Sequence, residues 1–233
     1  PPRVGPPTPR VGPPTPRVGP PTPRVGPPAA DTGPPTSRLT ADVALRRLLD
    51  GNERFVTNRE LNPDRGPELR LRLAEAQHPF AVILGCSDSR VPPEILFDEG
   101  LGDLFVIRNA GAIVDTTCLA SVEYGVDHLG VSLVLVLGHE RCGVITTAVA
   151  VAREGEEVRG HLWSLIDAVR PALETTNDRD GDVIDQAVCA HVKIQVECLR
   201  RADPIVSPAV KAGAIQIVGA RYDIDRGQVE LLT

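Results

Sequence analysis

The chain has 233 residues, 25 of them Lys or Arg and 31 Asp or Glu, for a formal net charge of −6. Removing the five arginines and the single acid (Asp31) of residues 1–38 leaves 20 basic and 30 acidic residues, a net charge of −10. That balance argues against a nucleic-acid surface, and no run approaches the roughly 18 apolar residues that span a bilayer.

Residues 1–28 repeat Pro-Pro-Thr-Pro-Arg-Val-Gly, starting from a shortened first copy, and 15 of the 23 prolines precede Thr36. Such a repeat has no apolar face, and proline cannot join a backbone ladder. Residues 1–38 are therefore expected to form a disordered or polyproline-II tail. The tail arginines read most simply as solubilising charge, with a proline-rich docking ligand as the second reading. Residues 39–233 are expected to be one domain, large enough for a substantial core.

Thr40-Ala41-Asp42 starts a helix over about 41–56, with Val43, Leu45, Leu48, Leu49 and Phe55 as its apolar stripe. Asn62-Pro63 and Gly66-Pro67 break the chain, and a short helix is expected from Glu68 to Gln77. Phe80–Gly85 is a continuous apolar run and reads as a strand buried on both faces. Leu104–Ile107 is a second strand, a helix covers Thr117 to Leu129, and Ser132–Leu137 is the third strand. Helices follow at 143–153, 161–170 and 182–201. Ala214–Tyr222 and Gln228–Leu232 close the pattern as strands around an Asp-Arg-Gly turn. Strands alternating with helices predict an α/β fold with a mostly parallel central sheet flanked by helices. In such sheets, sites form beyond the carboxyl ends of the strands.

Two short strings sit at such ends. Gly85-Cys86-Ser87-Asp88-Ser89-Arg90 follows the first strand, and Gly138-His139-Glu140-Arg141-Cys142-Gly143 follows the third. Cys86, His139 and Cys142 offer two thiolates and an imidazole, a donor set suited to Zn²⁺. Three ligands leave a fourth position open, which favours a catalytic over a structural site. Arg90 can reach Asp88 through a charge-assisted hydrogen bond. Asp88 can accept a proton from water, orient it, or bind the metal itself. His139 and Cys142 are expected to lie across a strand-to-helix turn and to share a face where the helix opens, whose backbone dipoles favour a thiolate. Five cysteines without an export signal fit metal-ligand thiols in a reducing, cytoplasmic setting better than a disulfide framework.

Cys86-x-Asp88-x-Arg90 followed by His139-x-x-Cys142 resembles the β-class carbonic anhydrases. The likeness extends through Val91-Pro92-Pro93-Glu94, Phe97–Phe105, Arg108-Asn109-Ala110-Gly111, Ser121-Val122-Glu123-Tyr124, Val136–His139 and Val218–Asp223, and covers about 41–233. The resemblance implies a β-carbonic-anhydrase-like fold and reversible hydration of CO₂ to bicarbonate. It implies one zinc per chain on Cys86, His139 and Cys142, with Asp88 and Arg90 as the catalytic dyad and Asp88 as fourth ligand in a closed state. It also implies that Gly111 and its neighbours line the substrate cleft and that the chain forms dimers or tetramers. Some bacterial members bind regulatory bicarbonate beside a tryptophan three residues before the first zinc cysteine. Here that position is Ile83, and the single tryptophan is Trp163, which counts against such a pocket. Two rivals are a CS₂ or COS hydrolase on the same scaffold and a non-catalytic zinc scaffold protein, which an intact Asp88–Arg90 dyad disfavours.

Other polar residues read more plainly. Cys118, Cys189 and Cys198 are expected to be packed thiols. His191, between the last two, hints at a second metal but is taken as a helix-face residue. His78, His128 and His161 are expected at the surface or at helix ends, and Asp98 and Glu99 to be solvated or structural.

Overall fold

The computed structural model describes residues 39–61, 63, 66–177 and 181–232. The expected tail, and with it the boundary after residue 38, lies outside the described residues. The described elements run α1 (Ala41–Val56), α2 (Pro67–Leu73), β1 (Ala81–Cys86), α3 (Pro93–Leu96), β2 (Leu104–Asn109), α4 (Thr116–Asp127), β3 (Leu133–His139), α5 (Gly143–Glu154), α6 (Leu162–Leu173), α7 (Val183–Arg200), α8 (Val206–Lys211), β4 (Gln216–Tyr222) and β5 (Val229–Leu232).

The five strands form one sheet in the order β2-β1-β3-β4-β5. β1 through β4 are parallel and β5 returns antiparallel to β4. The expected mostly parallel α/β sheet is borne out. β1 and β3 are apolar throughout because both of their faces are covered. Ala81 and Ile83 of β1, with Leu133, Leu135 and Leu137 of β3, join one apolar layer with α1, α5 and α6. The alternate residues Val82, Leu84, Val134 and Val136 join the other, with α4, α8 and the C-terminal half of α7.

After β1 the chain builds β2 on one side of it, then crosses to build β3 on the other. The carboxyl ends of β1 and β3 are therefore neighbours at the point where the connections diverge. Both ligand strings emerge there.

α1 is capped by Thr40, whose hydroxyl accepts from the Val43 amide. It docks through polar groups as well as Leu48. Buried Asn52 donates to the carbonyls of Leu96 (3.1 Å) and Gly227 (2.9 Å) and accepts from the Val229 amide (2.8 Å). Asp98 and Glu99 are structural, as expected, but buried rather than solvated: Arg54 pairs with Asp98 and Arg47 with Glu99.

Several boundaries differ from the sequence pattern. α2 ends at Leu73 instead of Gln77, since none of its residues is buried and no packing holds a longer helix. α6 continues through Pro171 to Leu173, because Val169 and Ala172 keep its inner face docked. The short helices α3 and α8 carry no periodic stripe to betray them. α8 tolerates Pro208 in its first turn, where no backbone donor is missed. Cys198 is exposed instead of packed, on the outer face of α7.

Candidate metal centre

Cys86 is the last residue of β1, and the chain leaves it in a tight turn. Asp88 closes that turn by accepting the Arg90 amide on Oδ1 at 3.0 Å. Arg108 of β2 fixes the backbone beneath it, donating from Nε to the Cys86 carbonyl (2.8 Å) and from Nη2 to the Asp88 carbonyl (2.6 Å).

His139 ends β3, one step beyond Gly138. A Cβ on Gly138 would lie 2.5 Å from Val192 Cγ2, so the glycine lets α7 press directly on the sheet beside the site. His139 Nδ1 is 2.8 Å from the Glu140 carbonyl and must donate to it, which leaves the Nε2 lone pair facing the site. Cys142 is the N-cap of α5, not a residue within it. The two ligands meet across the strand-to-helix turn, and the helix begins just after Cys142 instead of including it. Arg141 adopts φ +50°, and its guanidinium is held by Asp225 at 2.6 and 3.0 Å.

The Cys86 and Cys142 sulfurs and a His139 nitrogen lie within 4.8 Å of one another. Their residues are 6%, 4% and 1% exposed. Among the described residues, His139 Nε2 has no hydrogen-bond partner. A cavity of about 10 Å³ opens among Cys86, Gly111, His139, Cys142 and His191, a size suited to one ion or one water. Two thiols, an orphaned imidazole nitrogen and a single-atom space fit a borderline-soft divalent cation, Zn²⁺ above all.

The thiols are already polarised. The Cys142 thiol donates to Cys86, and the amides of Gly111 and Asp88 add to it, pulling the Cys86 thiol down to about 4 against the opposing effect of burial. Cys142 is pushed up, because its proton is shared with Cys86 and because it is buried. The pair thus gives up its first proton readily and holds its second.

Asp88 stands beside this cluster. Arg90 grips it with both arms, Nε to Oδ1 at 2.9 Å and Nη2 to Oδ2 at 2.7 Å. Those bonds hold its carboxyl well below the ordinary carboxylate range. Asp88 Oδ2 lies 3.9 Å from His139 Nε2. Arg90 Nη2 also reaches the Arg141 carbonyl at 3.3 Å, tying the pair to the turn that carries the other two ligands.

The carbonic anhydrase family model matches residues 81–229. A carbonic anhydrase of Mycolicibacterium smegmatis is 40% identical over 188 residues, spanning 81% of this chain and 91% of that protein. The chain belongs to the β-carbonic anhydrase family. Among solved structures, a tetrameric β-carbonic anhydrase of Sordaria macrospora superposes with a TM-score of 0.64 at 26% identity, over 72% of this chain and 87% of that one. The Coccomyxa β-carbonic anhydrase in complex with acetazolamide gives 0.61 at 31% identity, over 70% and 75%.

Against that family background, every site residue read from the sequence sits at the ends of β1 and β3 or beside them. Asp88 is turned to Arg90 and stands outside the ligand cluster. Gly111, at φ +88°, donates its amide to Cys86 Sγ at 3.4 Å. Ile83 is fully buried in β1 and Trp163 is partly exposed on α6, so the tryptophan is not beside the first ligand cysteine. Two residues near the site went unassigned in sequence. Arg108 lay inside a recognisable string, but nothing in that string told of its two carbonyl bonds. His191 does lie on a face of α7, but on the buried face turned toward the site. It is 3% exposed and lines the same cavity. Burial pushes its imidazole below the ordinary histidine range. A second acidic trio, Glu140, Asp223 and Asp225, is fully engaged with Arg221, Arg141 and turn amides.

Proposed function

We propose that this chain is a zinc enzyme that catalyses reversible hydration of CO₂ to bicarbonate and a proton. Cys86, His139 and Cys142 would hold one zinc, and Asp88 with Arg90 would form the catalytic dyad. The observation that carries this reading is the buried, partnerless His139 Nε2 among two thiols, with an arginine-gripped carboxylate 3.9 Å away. Bound zinc would supply Lewis acidity, which lets water lose a proton near neutral pH.

The chain's own residues do the rest. Two thiolates largely neutralise a divalent charge, so a separate acceptor for the departing proton gains importance. Asp88 Oδ2 faces the cluster and accepts a hydrogen bond from the reacting water. A carboxylate held so far below its usual range orients water well but keeps a proton poorly, so it passes the proton onward to solvent. Arg90 keeps Asp88 ionised and aimed. The Gly111 backbone and its apolar neighbours line the cleft for CO₂. Were Asp88 to leave Arg90 and serve as a metal ligand itself, the site would be blocked; the bidentate Asp88–Arg90 pair keeps the carboxylate off the cluster.

Assembly as a homodimer or homotetramer is part of the same proposal. Exposed Leu61, Leu71, Ile95 and Leu101, and the tetrameric relatives from Sordaria macrospora, support it. So is a reducing, cytoplasmic setting, which thiolate ligands need.

The test is metal removal and return. Dialysis against a chelator is expected to abolish CO₂ hydration, and stoichiometric zinc to restore it. Acetazolamide, present in the Coccomyxa complex, is expected to inhibit the restored enzyme. Zinc-loaded protein that is inert with CO₂ but turns over CS₂ or COS would replace this substrate assignment.

A further inference from the structure

We propose that His191 is a positioning residue of the metal centre, acting through the Gly111 peptide to fix the Cys86 sulfur. The inference rests on the zinc reading above and adds a residue that lies outside both ligand strings.

His191 sits on α7, 80 residues along the chain from Gly111, yet its Nε2 is 2.9 Å from the Gly111 carbonyl. A carbonyl only accepts, so Nε2 carries the proton and donates. The amide of the same residue, Gly111, donates to Cys86 Sγ at 3.4 Å. One glycine therefore links the histidine to a ligand sulfur. At φ +88°, Gly111 has no side chain to hold its peptide planes, so outside bonds must set their direction. Asn109 staples the downstream side of the loop, bonding both the amide and the carbonyl of Ile113 at 2.7 Å. His191 supplies the hold on Gly111 itself. A ligand thiolate whose lone pairs are aimed by a fixed amide donor is better placed for a metal.

The plain alternative is that His191 merely fills space. Its helical neighbours facing the same cavity, Val188 and Val192, are apolar. An apolar residue would fill the position too, and would avoid a buried Nδ1 that has no partner among the described residues. Leaving a buried polar atom unpaired is costly. A histidine that incurs this cost for one bond to Gly111 is explained by what that bond holds in place.

The test uses the full chain with His191→Leu, which removes the donor, and His191→Gln, whose terminal amide can reach the same carbonyl. Two readouts are taken: zinc affinity by competition with a chromophoric chelator, and the thiolate-to-cobalt charge-transfer band of Co²⁺-loaded protein. His191→Leu is expected to lose about 10–100-fold in zinc affinity and to shift the band, with His191→Gln restoring most of both. Melting of the metal-free proteins shows whether each variant is folded. If His191→Leu does not fold, His191→Gln is compared with His191→Asn, whose amide is too short to reach, and only the asparagine variant is expected to be impaired. A folded leucine variant with wild-type band and affinity would overturn the inference, as would glutamine and leucine variants impaired alike, or glutamine and asparagine variants behaving alike. Wild-type protein that binds no zinc would instead overturn the zinc reading on which the inference stands.

Discussion

Two regions of this molecule bury polar groups, and they treat them differently. Where α1 meets α3, buried Asp98 and Glu99 each face an arginine, and Asn52 has its amide nitrogen and oxygen satisfied by three backbone groups. At the ends of β1 and β3, two thiols crowd an imidazole whose Nε2 has no hydrogen-bond partner among the described residues. Unpaired buried polar atoms cost roughly 1–3 kcal/mol each, so a fold keeps them where something else completes the set. The first region is finished by the chain itself and reads as structure. The second is unfinished without a ligand and reads as a site.

The sharpest way to break this contrast is to remove a ligand. His139→Ala is expected to abolish both zinc retention, read by elemental analysis, and CO₂ turnover, while the protein stays folded. Retained zinc and turnover would show that the cluster does not hold the metal. Arg54→Ala in the other region should do the reverse. It removes the arginine from the buried Asp98 carboxylate, which keeps the Leu61 amide at 2.9 Å, and is expected to cost about 2 kcal/mol of stability in a denaturant melt. Turnover per folded, zinc-loaded molecule should be unchanged.

Proton competition gives a graded effect. In the metal-free chain the two thiols share a proton, which pulls Cys86 down and pushes Cys142 up. Zinc must displace that shared proton, so affinity is expected to fall as the pH is lowered from 8 to 6. Chelator competition at several pH values reads the slope, and a flat response would mean that the two thiols do not share a proton as described. The smallest effect concerns the other cysteines. Exposed Cys198 is expected to take iodoacetamide first, whereas Cys118, buried and pushed up to about 11, should label only on unfolding.

Much of this was legible in the residues alone. β1 and β3 announce themselves as continuous apolar runs because the sheet is covered on both faces, and the ligand strings lie just where those runs end. The unread parts depend on contacts between distant segments. His191 gains its meaning from the way α7 packs over Gly138 and the Gly111 loop, which no local pattern encodes. The meeting of His139 and Cys142 depends on a left-handed Arg141 pinned by Asp225, 84 residues away. α3 and α8 are too short to show a period, and the outward turn of Cys198 follows from the rotation of α7, which periodicity fixes only loosely.

The most direct measurement is stopped-flow CO₂ hydration between about pH 6.5 and 9, on protein of measured zinc content, with Asp88→Ala beside it. Turnover should depend on zinc and rise with pH. The rise reflects the proton lost from water, since Asp88 titrates far below this range. Asp88→Ala should retain zinc and lose about 10²–10⁴-fold in rate. Full zinc occupancy with no CO₂ turnover at any pH, or an unimpaired Asp88→Ala, would overturn the assignment of this site.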